Sequence, residues 1–244
     1  MSLFGDLLAP RYLIWLLQGF GVTLALSASV CLAGTGLGLA LCCLREAGGR
    51  LAGAGTTAFI GLIRNTPLLV QLFFWYFGAA ALMPFWLTAW LNSPHGLALG
   101  PAALHWPAYE TLAGFLGLTL YAAAYIAEEC RAGLNGVRPA QREAALALGL
   151  TDLQVFRHIA LPQALRIAWL PVVGQYLNTI KSTSLTMTIG LAELSYASRE
   201  VETETFLAFQ AFGIATLLYV GAVAAVETAG HALARRDPAA AARR

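Results

Sequence analysis

Residues 143–165 read EAALALGLTDLQVFRHIALPQAL, an acid, two turns and a proline set between long apolar runs. Glu143 offers a carboxylate near a helix start, where the positive end of the dipole favours an anion. Pro139 suits the first turn of that helix, because its missing N–H needs no partner there. Ala144, Ala145 and the residues up to Leu148 are strong helix formers, and Gly149 is placed for a left-handed stop. Thr151 and Gln154 have the spacing of a reciprocal cap that starts a second short helix. Leu161 and Pro162 then lead into a third. The chemistry here is recognition rather than bond-making. Small alanines admit a close neighbour, and Leu146, Leu150 and Leu153 fall near one side. Two occupants fit these residues equally: a protein partner, or the lipid headgroups.

A second polar set interrupts a later apolar run. Gln175, Asn178, Lys181 and Ser182 can line one stripe, with Thr183, Ser184 and Thr186 adding hydroxyls. Lys181 falls about 21 Å along a helix counted from Ile167. A lysine at membrane depth costs at least ~2.5 kcal/mol, so it must meet a polar cavity or a partner. One reading is the wall of a path for a polar, even anionic, solute. The other is a lysine that pairs with an acid such as Glu193 or snorkels outward. Arg64 suits an interfacial anchor or a partner for Glu128 or Glu129. Glu193, Glu200, Glu202 and Glu204, against Arg199, make an acidic loop at 193–204 that meets a partner or water.

These residues need elements to hold them, and the composition states the solvent. Of 244 residues, 58% are hydrophobic and 11% charged. A soluble domain carries roughly 25% charged residues, so a bilayer is the natural surrounding. A span takes about 20 apolar residues. The predicted spans are Gly19–Leu44, one from Pro67 after a short interfacial helix at about 52–64, Tyr109–Ala127, Ile167–Leu191 with interruptions at Pro171 and Lys181, and Thr205–Val226. Residues 92–107 hold Pro94, Gly96, Gly100, Pro101 and Pro107, which is loop chemistry.

Arginine placement orients the spans. Arg45, Arg50, Arg131, Arg138, Arg142, Arg157, Arg166, Arg235, Arg236, Arg243 and Arg244 fall on one side, and Arg11 and Arg199 on the other. The expected class is an all-α transmembrane protein with five spans, its N-terminus outside and its C-terminus cytoplasmic. Residues 1–18 form an outer segment, 19–232 the membrane domain and 233–244 a cytoplasmic tail. Trp15, Trp86, Trp90, Trp106 and Tyr109 are expected at the outer boundary. No basic, cleavable leader is evident. Gly34 and Gly38 allow close helix approach. Cys31, Cys42, Cys43 and Cys130 fit no zinc spacing and are expected to pack as small hydrophobes. His95, His105, His158 and His231 form no paired ligand set. Neither a G-x-S-x-G nor a G-x-x-x-x-G-K-[ST] occurs, so no hydrolase or ATP-hydrolysing site is expected in this chain. Net charge of +2 gives no reason to expect a nucleic-acid partner.

EAALALG, nine further residues and IALP reproduce the pattern E-A-A-x-x-x-G-x9-I-x-L-P. This resembles the EAA loop of permease subunits of ABC importers. RNTPLLVQLFFWYFG (64–78) and IKSTSLTMTIG (180–190) resemble the polar amino-acid uptake branch of that family, over about residues 12–232. LFFWYFG and the loop at 79–108 look most like the glutamate/aspartate permeases. The resemblance implies a homologous or identical permease partner, two cytoplasmic ATP-binding subunits that hold the ATP and magnesium, and a periplasmic amino-acid-binding protein. It implies that about 139–162 is a coupling loop using Glu143, Ala144, Ala145, Gly149, Ile159, Leu161 and Pro162. Gln175, Asn178, Lys181, Ser182 and Thr186, joined by Arg64 and Gln71 of the second motif, are the candidates for the translocation path. An ATPase-independent secondary transporter or channel for a small polar solute is the alternative, and the lack of an inverted-repeat signal weighs against it.

Overall fold

The structure is a computed structural model that describes residues 8–93, 96–99, 102–105 and 108–235. Pro94, His95, Gly100, Pro101, Trp106, Pro107 and the tail at 236–244 lie outside the described residues. Helix α1 (Pro10–Ala47) begins ahead of the predicted start at Gly19. Arg11 does not end it, because its guanidinium donates to the Tyr12 hydroxyl at 2.6 Å and lies over that ring. Helix α2 (Gly49–Asn65) is amphipathic and buries Thr56, Ile60 and Ile63. The chain then turns by 104° into the helical stretch Leu68–Leu82. Pro67 has no N–H to continue the first helix, and it holds the residue before it away from the helical region.

That stretch comprises α3 (Leu68–Phe73), a π-helical turn (Phe74–Gly78) and α4 (Ala79–Leu82). Helix α5 (Phe85–Leu91) follows, and then two strands where only loop chemistry was predicted: β1 (Gly96–Leu99) pairs antiparallel with β2 (Ala102–His105), Leu99 opposite Ala102. The all-α expectation therefore holds for the membrane helices and not for this short ladder. Helix α6 (Tyr109–Asn135) runs past its predicted end at Ala127. Glu128, Glu129 and Arg131 continue the helix rather than end it. Next come α7 (Pro139–Ala147), α8 (Asp152–Val155), a π turn (Phe156–Ala160) and α9 (Leu161–Ser182). Helix α9 continues through Pro171 and changes to a 3-10 segment (Thr183–Ile189) just after Lys181. Helices α10 (Leu194–Thr205) and α11 (Ala208–Arg235) complete the described chain.

Among the described residues, α1, α6 and α11 are long and apolar enough to cross a membrane, and the bent pair α2 with Leu68–Leu82 makes a fourth candidate. Helix α9, the predicted fourth span, does not reach that measure, because it carries Gln163, Arg166, Gln175, Asn178 and Lys181.

The residues divide into two compact units. One comprises 1–30, 66–119 and 179–221. Its core joins Tyr12 and Leu16 of α1 to Leu194, Ala197 and Val201 of α10 and Ala211 and Ala215 of α11. Tyr109 is buried in this unit and donates its hydroxyl to the Trp75 carbonyl at 2.9 Å, whereas Trp15, Trp86 and Trp90 are exposed. The other unit comprises 31–65, 120–178 and 222–244. There Ile60 and Ile63 of α2 pack on Ala124 and Ala127 of α6. Small residues set the helix spacing, as membrane interfaces favour. A Cβ on Gly38 would lie 2.9 Å from Ile126 Cγ2, and one on Gly133 would lie 2.4 Å from the Ala164 carbonyl oxygen. Cys42 and Cys130 are buried, and Cys31 and Cys43 are half-buried.

Candidate functional site

Helix α7 opens with Pro139 at its first turn and exposes Glu143 and Ala144, while Ala145 is buried. Gly149 ends it at φ +87°. The Leu150 N–H donates to the Ala145 carbonyl and the Gly149 N–H to that of Leu146, at 3.2 and 2.9 Å. This paired termination needs a left-handed residue, and glycine supplies it without a steric penalty. The chain enters α8 through a reciprocal cap. The Gln154 N–H donates to Thr151 Oγ1, and the Thr151 N–H donates to Gln154 Oε1 at 2.8 Å. Helix α7 packs against α8 and the π turn after it. Ile159 and Leu161 are half-buried and Pro162 is exposed, so the end of the loop passes directly into α9.

The outcome is a compact helix–turn–helix that presents its leucines. Leu146, Leu148 and Leu153 are 43%, 82% and 69% exposed. Leu150, predicted on the same side, is half-buried instead, because its amide closes the α7 termination. Three exposed leucines beside Glu143 and Arg142 make an apolar knob with a charged rim, a surface that suits a protein groove.

Charges brace the unit that holds this knob. Arg45 of α1 is hydrogen-bonded to Glu128 of α6. Arg64 lies 3.8 Å from the same carboxylate and over the Tyr125 ring, 5.0 Å from its centre. Arg131 meets Glu46 at 3.3 Å. The predicted pairing of Arg64 with Glu128 is therefore present, and Arg45, which sequence did not single out for it, is the shorter contact. Gln175 and Asn178 are half-buried in this same unit. Tyr176 between them shares a 2.8 Å hydrogen bond with Thr35 of α1.

Gln71, Lys181, Ser182 and Thr186 belong to the other unit. Gln71 is buried on α3 and donates to the Thr66 carbonyl at 2.9 Å. Helix α3 packs on the 3-10 segment that carries Thr186, whose hydroxyl donates to the Thr183 carbonyl at 2.7 Å. Ser182 is half-buried and Lys181 is exposed. The alternative pairing of Lys181 with Glu193 does not occur. Glu193 is fully buried, bonded to Thr23, Tyr219 and the Tyr196 amide. Nor do residues 193–204 form a loop: Glu193 caps α10, which leaves Arg199, Glu200 and Glu204 exposed or half-buried at its surface with Glu202. Sequence reasoning missed the roles of Thr23 and Tyr219. The local signal available was an acid three residues before Tyr196, the spacing of an N-cap.

The family model of the binding-protein-dependent transport system inner membrane component matches residues 33–236. The chain is 37% identical over 165 residues to the probable amino-acid ABC transporter permease protein PatM of Vibrio harveyi, covering 68% of this chain and 66% of that one. It is 32% identical over 209 residues to the glutamate/aspartate import permease protein GltJ of Escherichia coli K12, covering 86% and 81%. It is 32% identical over 205 residues to the glutamine transport system permease protein GlnP of the same organism, covering 84% of each. A solved structure described as an amino acid ABC transporter with histidines shares the fold, with a TM-score of 0.78 at 24% identity over 93% of this chain and 96% of that one. The chain belongs to the binding-protein-dependent transport system inner membrane component family, as a permease subunit of an amino-acid ABC importer.

Proposed function

We propose that this permease imports glutamate or aspartate and that residues 139–162 couple it to ATP hydrolysis on a separate subunit. The observation that carries the coupling reading is the α7–turn–α8 knob, with Leu146, Leu148 and Leu153 held outward by a left-handed Gly149 and a two-way cap. A rigid apolar projection transmits displacement where a flexible loop would absorb it. Glu143, predicted at the helix start, lies in the second turn of α7 and lends the rim a carboxylate; exposed Ala144 allows close approach, buried Ala145 lets α7 pack on its own loop, and Ile159, Leu161 and Pro162 join the knob to α9. Two cytoplasmic ATP-binding subunits, which hold ATP and magnesium, grip two such knobs. One belongs to this chain and the other to a homologous permease partner. A periplasmic binding protein supplies the amino acid.

The proposed topology has five spans: α1, the bent pair, α6, α9 with its 3-10 extension, and α11. Helix α9 has 22 residues, about 33 Å at the helical rise, which is enough for the hydrocarbon core despite its polar content. The arginine asymmetry supports an outer N-terminus and a cytoplasmic C-terminus in the bacterial inner membrane. Gln175, Asn178, Lys181, Ser182 and Thr186, with Arg64 and Gln71, are the residues proposed to meet the solute. Lys181 suits a carboxylate that every amino acid carries, so it does not select acidic ones. The choice of glutamate or aspartate rests on LFFWYFG, the loop at 79–108 and the similarity to GltJ. Binding of radiolabelled glutamate, aspartate and glutamine to the cognate binding protein, followed by uptake into proteoliposomes holding the complex, tests the assignment. Saturable uptake of glutamate or aspartate is expected. Uptake confined to glutamine would overturn the substrate, and uptake without any ATPase subunit would overturn the coupling.

A further inference from the structure

Glu193 is the one acid among the described residues with no exposed surface at all. Three donors converge on it. The Tyr196 N–H reaches Oε1 at 3.0 Å, and the Tyr219 and Thr23 hydroxyls reach Oε2 at 2.6 and 3.2 Å. Thr23 Oγ1 accepts from the Leu194 N–H at 3.2 Å and keeps its own proton for Glu193. Ser195 Oγ lies 3.1 Å from the Tyr219 hydroxyl and extends the network. Each of the three contacts sets an N–H or hydroxyl group against a carboxyl oxygen of Glu193. Among the described residues no Lys, Arg or His pairs with it.

The three donors come from three elements: Thr23 from α1, Tyr219 from α11 and Tyr196 from α10 itself. Helix α1 also lies directly on the start of α10, since a Cβ on Gly19 would sit 2.9 Å from the Glu193 carbonyl oxygen. On the chain, Glu193 stands between the 3-10 segment Thr183–Ile189 and α10, just after Gly190 at φ +87°. Helix α10 also packs on that segment, and Glu193 adds a polar anchor at the end of α10 nearest to it.

We infer that Glu193 is a positioning residue: its carboxyl group, held by Tyr219, Thr23 and the Tyr196 amide, clamps α10 to α1 and α11. A load on the exposed face of α10 then passes into Thr183–Ile189. This rests on the proposed function, in which a periplasmic binding protein supplies the amino acid, and it takes the exposed acidic face of α10 as the place where that protein docks.

The test uses the assembled importer in nanodiscs, with Glu193→Gln and Tyr219→Phe in the permease. The Glu193→Gln side chain keeps the shape but offers one acceptor oxygen to three donors. Hydrogen exchange over Leu194–Thr205, which needs no ligand, should quicken at least tenfold in E193Q and a few-fold in Y219F, with α7 unchanged. Stimulation of ATPase by glutamate-loaded binding protein should fall at least tenfold in E193Q and several-fold in Y219F, with basal ATPase within twofold of wild type. Faster exchange with full stimulation would reduce Glu193 to a packing role and overturn the inference, as would wild-type behaviour in both assays. If E193Q fails to assemble, Y219F decides by the same two readouts. A wild-type complex that ignores glutamate-loaded but answers glutamine-loaded binding protein overturns the substrate alone, and the variants are then compared with glutamine.

Discussion

Gly149 sits at φ +87° with open space where a side chain would go. Gly149→Leu therefore strains the backbone by about 1–2 kcal/mol without any clash. Asparagine tolerates this conformation far better. If the α7 termination aims the knob, Gly149→Leu should cut ATP-driven uptake at least fivefold and Gly149→Asn should keep most of it, with equal membrane levels by immunoblot. Glu143→Lys places a cation near the N-terminal half of α7 and should lower coupled uptake in the same assay. Glu128 receives two arginines, and the Arg45 and Glu128 side chains are 14% and 26% exposed. Glu128→Ala leaves both cations unmatched and should cost about 1.5–3 kcal/mol, read as a lower melting temperature of the detergent-solubilised complex. Arg131→Ala, at a more exposed pair, should cost less than about 1 kcal/mol.

Helix contacts follow from residue size. The backbone of α6 at Gly133 touches the Ala164 carbonyl of α9, and a methyl group there would meet it at 2.4 Å. Gly133→Ala must push the helices apart, at about 1–3 kcal/mol by the usual cost of overpacking. A fall in melting temperature on the order of 5 °C is expected, and an unchanged value would mean that α6 and α9 do not meet here. The start of α8 depends on its cap instead. Thr151→Ala removes one of two reciprocal bonds and should cost ~1 kcal/mol. Because the knob is built from two short helices, that loss should show as faster hydrogen exchange across residues 148–156.

For the molecule as a whole, legibility follows sequence distance. The cap at Thr151 and Gln154, the stop at Gly149 and the break at Pro67 involve residues a few positions apart, and each is readable from spacing alone. The long helices are readable from their uncharged runs, although α1 and α6 outrun those runs because a charged turn at a membrane surface remains helical. What escapes is non-local. Glu193 looks like surface charge in the string AELSYASREVETET, yet Thr23 and Tyr219, from distant helices, bury it. Arg45 finds Glu128 across 83 positions for the same reason. The ladder at 96–105 follows proline-rich signals that specify turns but not pairing. Helix α9 shows the limit of composition: its polar residues mark a candidate path and, by the same token, weaken its signature as a span.

The most direct test of coupling through residues 139–162 is glutamate uptake by proteoliposomes containing the purified importer, with binding protein outside and ATP sealed inside. The account predicts concentrative uptake that stops without ATP, stops when the ATPase subunit carries an inactivated phosphate loop, and falls sharply in Gly149→Leu. Uptake that continues unchanged without nucleotide would contradict it.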